Sequence, residues 1–342
     1  MNPLPVSFEF RFALRLATIC LVLLTLGSSA LAQFAKPTAS SSSAVVQTEQ
    51  VRAELVAFAP DGVGAGKTVW LGLQMAHQPQ WHTYWKNAGD SGLPTRLEWT
   101  LPAGVTAGDI AWPTPQKINI GSLSNFGYEG TVLLPVPLTI SPTFAPGALA
   151  DNMEVRLAAS WLVCKQECVP QDGSFVLQLP LRGSTALHAA DFEKARAAEP
   201  VAHQGKAAVQ VDNNGVTLTV QGLPNAWRGK NISAFIEAPE IIETNRAPSP
   251  TDGAPQTWQA DGSWTSSMAL SGLRSEAPTR LAFVLALDGR SVRAEADVRG
   301  AWPAINTGPA GTSAAPVLNT SLSNPSTPAP LQDTGPGAFA LA

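Results

Sequence analysis

The chain has 342 residues, with 22 lysines and arginines against 26 aspartates and glutamates and a formal net charge of −4. Charge this sparse and slightly acidic, with no basic run, argues against nucleic acid as a partner. The length suits about two domains with linkers, and after the first thirty residues no apolar run of about 18 residues suggests a membrane span.

In chain order, Arg11 and Arg15 flank and precede an apolar run over residues 16–26, and Ala30-Leu31-Ala32 supplies a small-x-small cleavage site. That pattern predicts a secretory signal over 1–32 and a mature chain beginning near Gln33, outside the cytoplasm. Cys20 falls inside the apolar run and would leave with the peptide; bulky Ile19 before it and apolar residues after it speak against a lipid-modified cysteine. A Ser/Thr/Ala-rich leader occupies 36–43. From there the period becomes two, the signature of half-buried strands. Val51, Ala53, Leu55 and Ala57 share one face, as do Val69, Leu71, Leu73 and Met75, and Val132, Leu134, Val136, Leu138 and Ile140. Met153, Val155, Leu157, Ala159, Trp161 and Val163 form a longer row, followed by Phe175, Leu177 and Leu179. Short strands between Gly/Pro/Asn/Asp turns predict an all-β chain with an antiparallel sandwich over about 45–182.

A short helix is expected over 190–198 at a domain junction, with Asp191 as cap and Pro200 as terminator. The alternation resumes with Val216, Leu218 and Val220 after Asn213-Asn214-Gly215, and Leu281, Phe283, Leu285 and Leu287 lead into Asp288-Gly289. Asp-Gly between alternating runs signals a type I′ hairpin, because both central positions need positive φ. A second, smaller β-domain is therefore expected over 200–302. Residues 303–342 are rich in Pro, Ser, Thr, Gly and Ala and read as a flexible tether. Its last residues, 337–342, turn small and apolar, as in a plain tail or in the first turn of a membrane helix encoded beyond Ala342.

The chemistry-bearing feature is the cysteine pair Cys164 and Cys168, the two thiols expected in the mature chain. Positions four apart on a straight strand lie about 13 Å from each other, whereas a disulfide needs Cα atoms within about 7 Å. If the two bond, Lys165-Gln166-Glu167 must form a tight turn with the cysteines at the ends of a hairpin. Strand parity puts Cys164 opposite the Trp161/Val163 row, on the face of Glu154, Arg156 and Ser160, where a partner protein could reach it. Three readings stand. A structural staple closed across three residues removes little chain entropy. A metal site has only His77, His82, His188 and His203 as imidazoles, none at ligand spacing to the cysteines. A redox-active dithiol fits best, since short accessible disulfides are the labile kind, but spacing alone does not decide.

Four segments carry a resemblance: Trp81-His82-Thr83-Tyr84-Trp85-Lys86-Asn87-Ala88-Gly89-Asp90-Ser91-Gly92-Leu93-Pro94; Trp112-Pro113-x-Pro115; Phe126-Gly127-Tyr128-Glu129-Gly130; and Trp161-Leu162-Val163-Cys164 to Cys168-Val169-Pro170. Together they resemble, over about 45–182, the periplasmic N-terminal domain of the DsbD thiol:disulfide interchange proteins, and most of all the branch that includes ScsB, the suppressor of copper sensitivity protein. The resemblance implies an immunoglobulin-like sandwich whose cysteines, without a cofactor or metal, take electrons from a membrane-embedded domain through a thioredoxin-like domain and pass them to oxidised periplasmic client proteins. A disulfide isomerase, a cytochrome c maturation factor or a peroxidase would be such a client. Carried onto this sequence, it makes Cys168 the sulfur that forms mixed disulfides and Cys164 the resolver, with Lys165 lowering and Glu167 opposing the drop in a thiol pKa. It also implies an aromatic shield over the cysteines, with Phe126 as first choice and Tyr128 and Tyr84 beside it. Trp81 is expected to be structural and Asp90 a turn residue. The rival reading is a non-catalytic periplasmic binding module, in one version metal-linked, with the disulfide as a hairpin staple. Copper handling by methionine is not expected, because Met75, Met153 and Met268 are scattered.

Overall fold

The alternating rows of the sequence become two facing sheets in a computed structural model, which describes residues 43–147 and 149–305. The expected signal segment and Cys20, and the tether beyond residue 305, lie outside the described residues. The first group of strands is β1 (Val45–Gln47), β2 (Val51–Phe58), β3 (Val69–His77), β4 (His82–Gly89), β5 (Arg96–Thr100), β6 (Val105–Ala107), β7 (Gln116–Ile120), β8 (Leu123–Glu129), β9 (Thr131–Ile140), β10 (Asn152–Cys164) and β11 (Cys168–Pro180). One sheet runs β1-β2-β3-β9-β6 and the other β11-β10-β4-β8-β7, with β5 also on β10. The pairings within both are antiparallel. Every second residue of these strands points between the sheets: Val51, Ala53, Leu55, Leu71, Leu73, Met75, Leu134, Val155, Val163 and Phe175 are at most 1% exposed. Burial of each such aliphatic or aromatic side chain contributes about 1.5–3 kcal/mol. The architecture is the expected all-β, immunoglobulin-like sandwich followed by a smaller β-domain.

The longest ladder joins β10 to β11, from Asn152 opposite Pro180 to Cys164 opposite Cys168. Because β11 is an edge strand of its sheet, Pro170 and Pro180 can sit in it without removing an inner ladder bond.

The helix α1 (Ala189–Ala197) begins one residue earlier than expected. Asp191 does not cap it: the N-cap is His188, which makes no side-chain capping bond, and the Asp191 carboxylate instead meets His188 Nδ1 at 3.1 Å. The helix lies on the outer face of the first sheet, where Phe192 and Ala195 pack on Val56 and Leu133 and the Phe58 and Phe192 rings stack at 5.8 Å.

The second group comprises β12 (Val201–Ala202), β13 (Ala207–Asp212), β14 (Gly215–Val220), β15 (Ser233–Ile236), β16 (Gln256–Trp258), β17 (Trp264–Met268), β18 (Arg280–Leu287) and β19 (Arg290–Gly300). Its order is β15-β18-β19-β13-β14-β17-β16, with β12 on β19. The expected hairpin joins β18 to β19, and Asp288 and Gly289 take φ of 51° and 73°. β19 also pairs in parallel with β12 and β13, so this domain is not purely antiparallel.

The two domains share one core. Phe235 on β15 stands edge-on to Phe126 at 5.0 Å and to Trp85 at 6.2 Å. Asn87 Nδ2 donates to the Ile236 carbonyl at 2.8 Å, and Glu237 bridges Lys86 (3.3 Å) and Arg293 (2.7 Å). Among the described residues, no helix is long and apolar enough to cross a membrane. Truncation of the shared aromatic, Phe235→Ala, is expected to lower stability by about 3–5 kcal/mol, read as a lower urea midpoint. A midpoint within error of the parent would show that the domains do not stabilise each other through this contact.

Candidate functional site

The bend between β10 and β11 holds the two cysteines in a disulfide, with the Cα atoms 4.2 Å apart. Lys165-Gln166-Glu167 form the tight turn that the spacing demanded, closed by a bond from the Lys165 N–H to the Glu167 carbonyl at 3.1 Å. The two sulfurs sit in unequal surroundings. Cys168 is exposed, whereas Cys164 is 1% exposed. The expectation of an accessible Cys164 is thereby corrected. Parity did place it off the main core, but β4 pairs with the end of β10 at this residue, His82 opposite Cys164. The face is then covered by Tyr84 and Ala88 from β4 and by Leu162.

Tyr84 is the immediate cover. Its hydroxyl lies 3.7 Å from Cys168 Sγ, its ring is 1% exposed, and it stands edge-on to the His82 ring at 5.2 Å. Burial pushes the Tyr84 phenol up to about 12, against a smaller lowering by the Ser91 hydroxyl, so it stays a neutral hydrogen-bonding group at physiological pH. Over Tyr84 runs the loop of residues 89–94, which forms a bridge from Pro94 back to Tyr84. Gly92 lies flat against the phenol: its φ is +101°, and a Cβ there would fall 2.3 Å from ring atoms. Only glycine permits both the backbone turn and that approach.

The loop is tied down on two sides. Asn125 Oδ1 accepts from the Ser91 N–H (3.0 Å) and hydroxyl (3.1 Å). Asp90 Oδ2 accepts from the Ser124 N–H at 2.8 Å, and Asp90 Oδ1 accepts from the Thr244 N–H of the second domain at 3.3 Å. Asp90 is thus a turn residue, and one that fastens the cover to both domains.

Phe126 and Tyr128 are elsewhere, and their expected shielding place is corrected. In the β4–β8 register Tyr84 faces Gly127 and His82 faces Glu129, so Phe126 and Tyr128, which alternate with them, point to the opposite face, into the sandwich. Phe126 is 0% exposed and packs on Trp85 and Phe235. The buried Tyr128 hydroxyl donates to the Pro113 carbonyl at 2.7 Å. Trp81 packs against the main core, as expected of a structural residue.

His82 was visible in the sequence only as an imidazole without ligand spacing, because nothing local reveals a cross-strand partner. It is 0% exposed, and neither ring nitrogen has a hydrogen-bond partner. Burial, with a smaller contribution from nearby His77, lowers its pKa to about 4. His77 is itself engaged, Nδ1 with the Gly130 carbonyl (2.7 Å) and Nε2 with the Thr83 hydroxyl (3.0 Å). The site therefore offers an exposed sulfur, a buried sulfur, a phenol cover and a neutral imidazole: a set suited to thiol–disulfide exchange.

Comparisons with known proteins agree with that chemistry. Residues 48–180 match the family model described as the N-terminal domain of thiol:disulfide interchange protein DsbD. Among solved structures, the chain is similar to the crystal structure of the N-terminal periplasmic domain of ScsB from Proteus mirabilis, with a TM-score of 0.52 and 19% identity over 74% of this chain and 96% of that one. A likeness over that share of the chain reaches past residue 180, so the second β-domain takes part in the shared fold. No curated protein matches the sequence.

If Asp90 holds the cover shut, Asp90→Ala should accelerate reduction of the disulfide by dithiothreitol severalfold at unchanged equilibrium, followed by timed alkylation of freed thiols. Equal rates in variant and parent would show that the loop does not limit access.

Proposed function

From residues 48–180 as a DsbD-type N-terminal domain for thiol:disulfide interchange, we propose that the chain is a periplasmic electron carrier: it accepts electrons from a membrane reductase and passes them to oxidised periplasmic proteins through Cys164 and Cys168. The division into a redox domain over 45–182 and a second β-domain over 200–302 belongs to this proposal, supported by the break between β11 and β12 that α1 fills. The periplasmic location is supported by the signal-like start of the sequence and by the periplasmic ScsB domain that shares the fold. The observation that carries the reading is the inequality of the two sulfurs, one exposed and one buried.

In the reducing half-cycle a thiolate of the donor, a thioredoxin-like domain, attacks Cys168 Sγ. The Cys164–Cys168 bond breaks, Cys164 leaves as a thiolate and takes up a proton, and a mixed disulfide joins Cys168 to the donor. The donor's second thiolate then attacks its own sulfur in that bond and releases Cys168. In the oxidising half-cycle Cys168 attacks a client disulfide, and Cys164 attacks Cys168 Sγ, re-forms the intramolecular bond and expels the client as a thiolate. Two electrons move at each stage. Attack at Cys168 is favoured by access, since Cys164 lies under Tyr84. Tyr84, with residues 89–94 above it, serves as the shield that a proper partner displaces.

Equilibration in defined glutathione or dithiothreitol ratios, quenched by alkylation, checks this. The pair is expected to titrate within the range of exchange-active dithiols, and a bond still oxidised below about −300 mV would be a structural staple and end the proposal. Single substitutions sharpen the assignment. Cys164→Ser should accumulate mixed disulfides through Cys168 with an oxidised donor or client domain, whereas Cys168→Ser should trap little; the opposite pattern would reverse the roles.

A further inference from the structure

Exchange at this site leaves one buried group without employment. His82 is the residue of β4 paired with Cys164, it is wholly buried, and both its ring nitrogens lack partners. Directly opposed residues on neighbouring antiparallel strands have Cβ atoms about 4.5–5.5 Å apart, which sets the His82 side chain beside that of Cys164, although in the disulfide form neither ring nitrogen is bonded to a sulfur. In the disulfide form Cys164 has no proton to offer. A buried polar atom left unpaired is destabilising, and reduction would give Cys164 a proton to share with the imidazole.

Building on the exchange reading above, we propose that His82 is the proton acceptor of the buried cysteine: it takes the Cys164 S–H proton in the resolving step and pairs with the resulting thiolate. A buried thiol has a raised pKa and is a poor nucleophile unless a base assists it. When Cys168 carries a client sulfur, the Cys164 proton passes to a His82 nitrogen and the Cys164 sulfur attacks Cys168 Sγ. The Cys164–Cys168 bond forms, the bond from Cys168 to the client breaks, and the client departs as a thiolate that takes a proton from solvent. His82 then returns its proton to solvent through the opened cover. The client gains two electrons and the cysteine pair loses them.

The surroundings fit this role. The imidazole is neutral at rest, its basicity suppressed by burial and by His77, so it is free to accept. His77 is held by Thr83 and Gly130, Tyr84 contributes a neutral phenol on the same strand, Glu129 faces His82 from β8 with its side chain exposed, and Lys165 and Glu167 flank the cysteines in the bend. Among these, the imidazole is the buried neutral base paired across the ladder with Cys164.

Reduced full chain mixed with one equivalent of 5,5′-dithiobis(2-nitrobenzoate) separates the two proposals. A first phase of coloured thiol release reports attack by Cys168, and a second reports resolution by Cys164. Absence of any second phase in the parent, or of a reducible pair, would remove the exchange reading itself. With both phases present, His82→Gln should leave the first phase within about twofold and slow the second at neutral pH by about 10²-fold or more. The deficit should shrink as pH rises and hydroxide ionises Cys164 without help. An unchanged second phase, or a deficit of the same size at every pH, would mark His82 as packing only and overturn the inference. Should the variant fail to fold, the parent still decides: the ring ¹⁵N resonances of His82 should shift on reduction of the disulfide, and resonances that do not move would be fatal.

Discussion

The register of the β10–β11 ladder is the constraint on which the site depends. Thirteen residues on each strand pair in antiparallel order up to the cysteines, and side chains alternate faces with a period of two, so a slip of one residue would turn the whole Met153-to-Val163 row out of the core. The apolar row therefore fixes which face each cysteine takes. Polar contacts near the bend support the same alignment: Trp161 Nε1 and the Thr48 hydroxyl both donate to Gln171 Oε1, at 3.0 and 3.1 Å, and Gln171 Nε2 donates to Gln50 at 2.7 Å. The sulfurs meet because the core of the sandwich is packed, and the turn of three residues only closes what the ladder has already aligned.

Burial then makes the two sulfurs chemically different. β11 is an edge strand and leaves Cys168 open, while β10 is flanked by β4, which brings Tyr84 and Ala88 onto Cys164 and sets His82 opposite it in the ladder. The cover is layered, Tyr84 on the cysteines and residues 89–94 on Tyr84, and its outer layer is bonded through Asp90 to Thr244 of the second domain. The second domain thus contributes to the site without carrying any of its reacting groups. Thr244, Asp90, the loop and the phenol beside the disulfide form one continuous set of contacts.

Much of this was legible in the sequence where the signal is local. Alternation located the strands, Asp288-Gly289 marked its hairpin, and the cysteine spacing required the bend. What stayed hidden is non-local. Parity says which face Cys164 occupies but not what lies on that face, since the covering strand comes from residues some eighty positions earlier. The same limit misplaced Phe126. Its segment, bounded by Gly121 and Gly130 and interrupted by Gly127, reads as a loop, yet it is the strand β8, and within it the position opposite Tyr84 is Gly127, where a Cβ would fall 2.2 Å from the Thr83 carbonyl. An aromatic one residue to either side of that glycine must point into the sandwich. Tyr84 occupies the shielding place because it shares its face with His82 and Cys164. Asp191 does not cap α1 because the helix starts at Ala189, which leaves Asp191 within the first turn, where its carboxylate meets His188 three residues back.

The pairing of His82 with Cys164 gives a physical account of how a dry site can still ionise. An imidazolium alone in that position is disfavoured by desolvation, and so is a thiolate alone. Formed together by transfer of one proton between neighbours, they create no net charge, and each supplies the partner the other lacks. Interacting groups of this kind titrate as a pair rather than as two residues. The suppressed basicity of the isolated imidazole and the desolvation cost of a buried thiolate are then two sides of one arrangement, in which charge is withheld until a mixed disulfide presents the sulfur that Cys164 must attack.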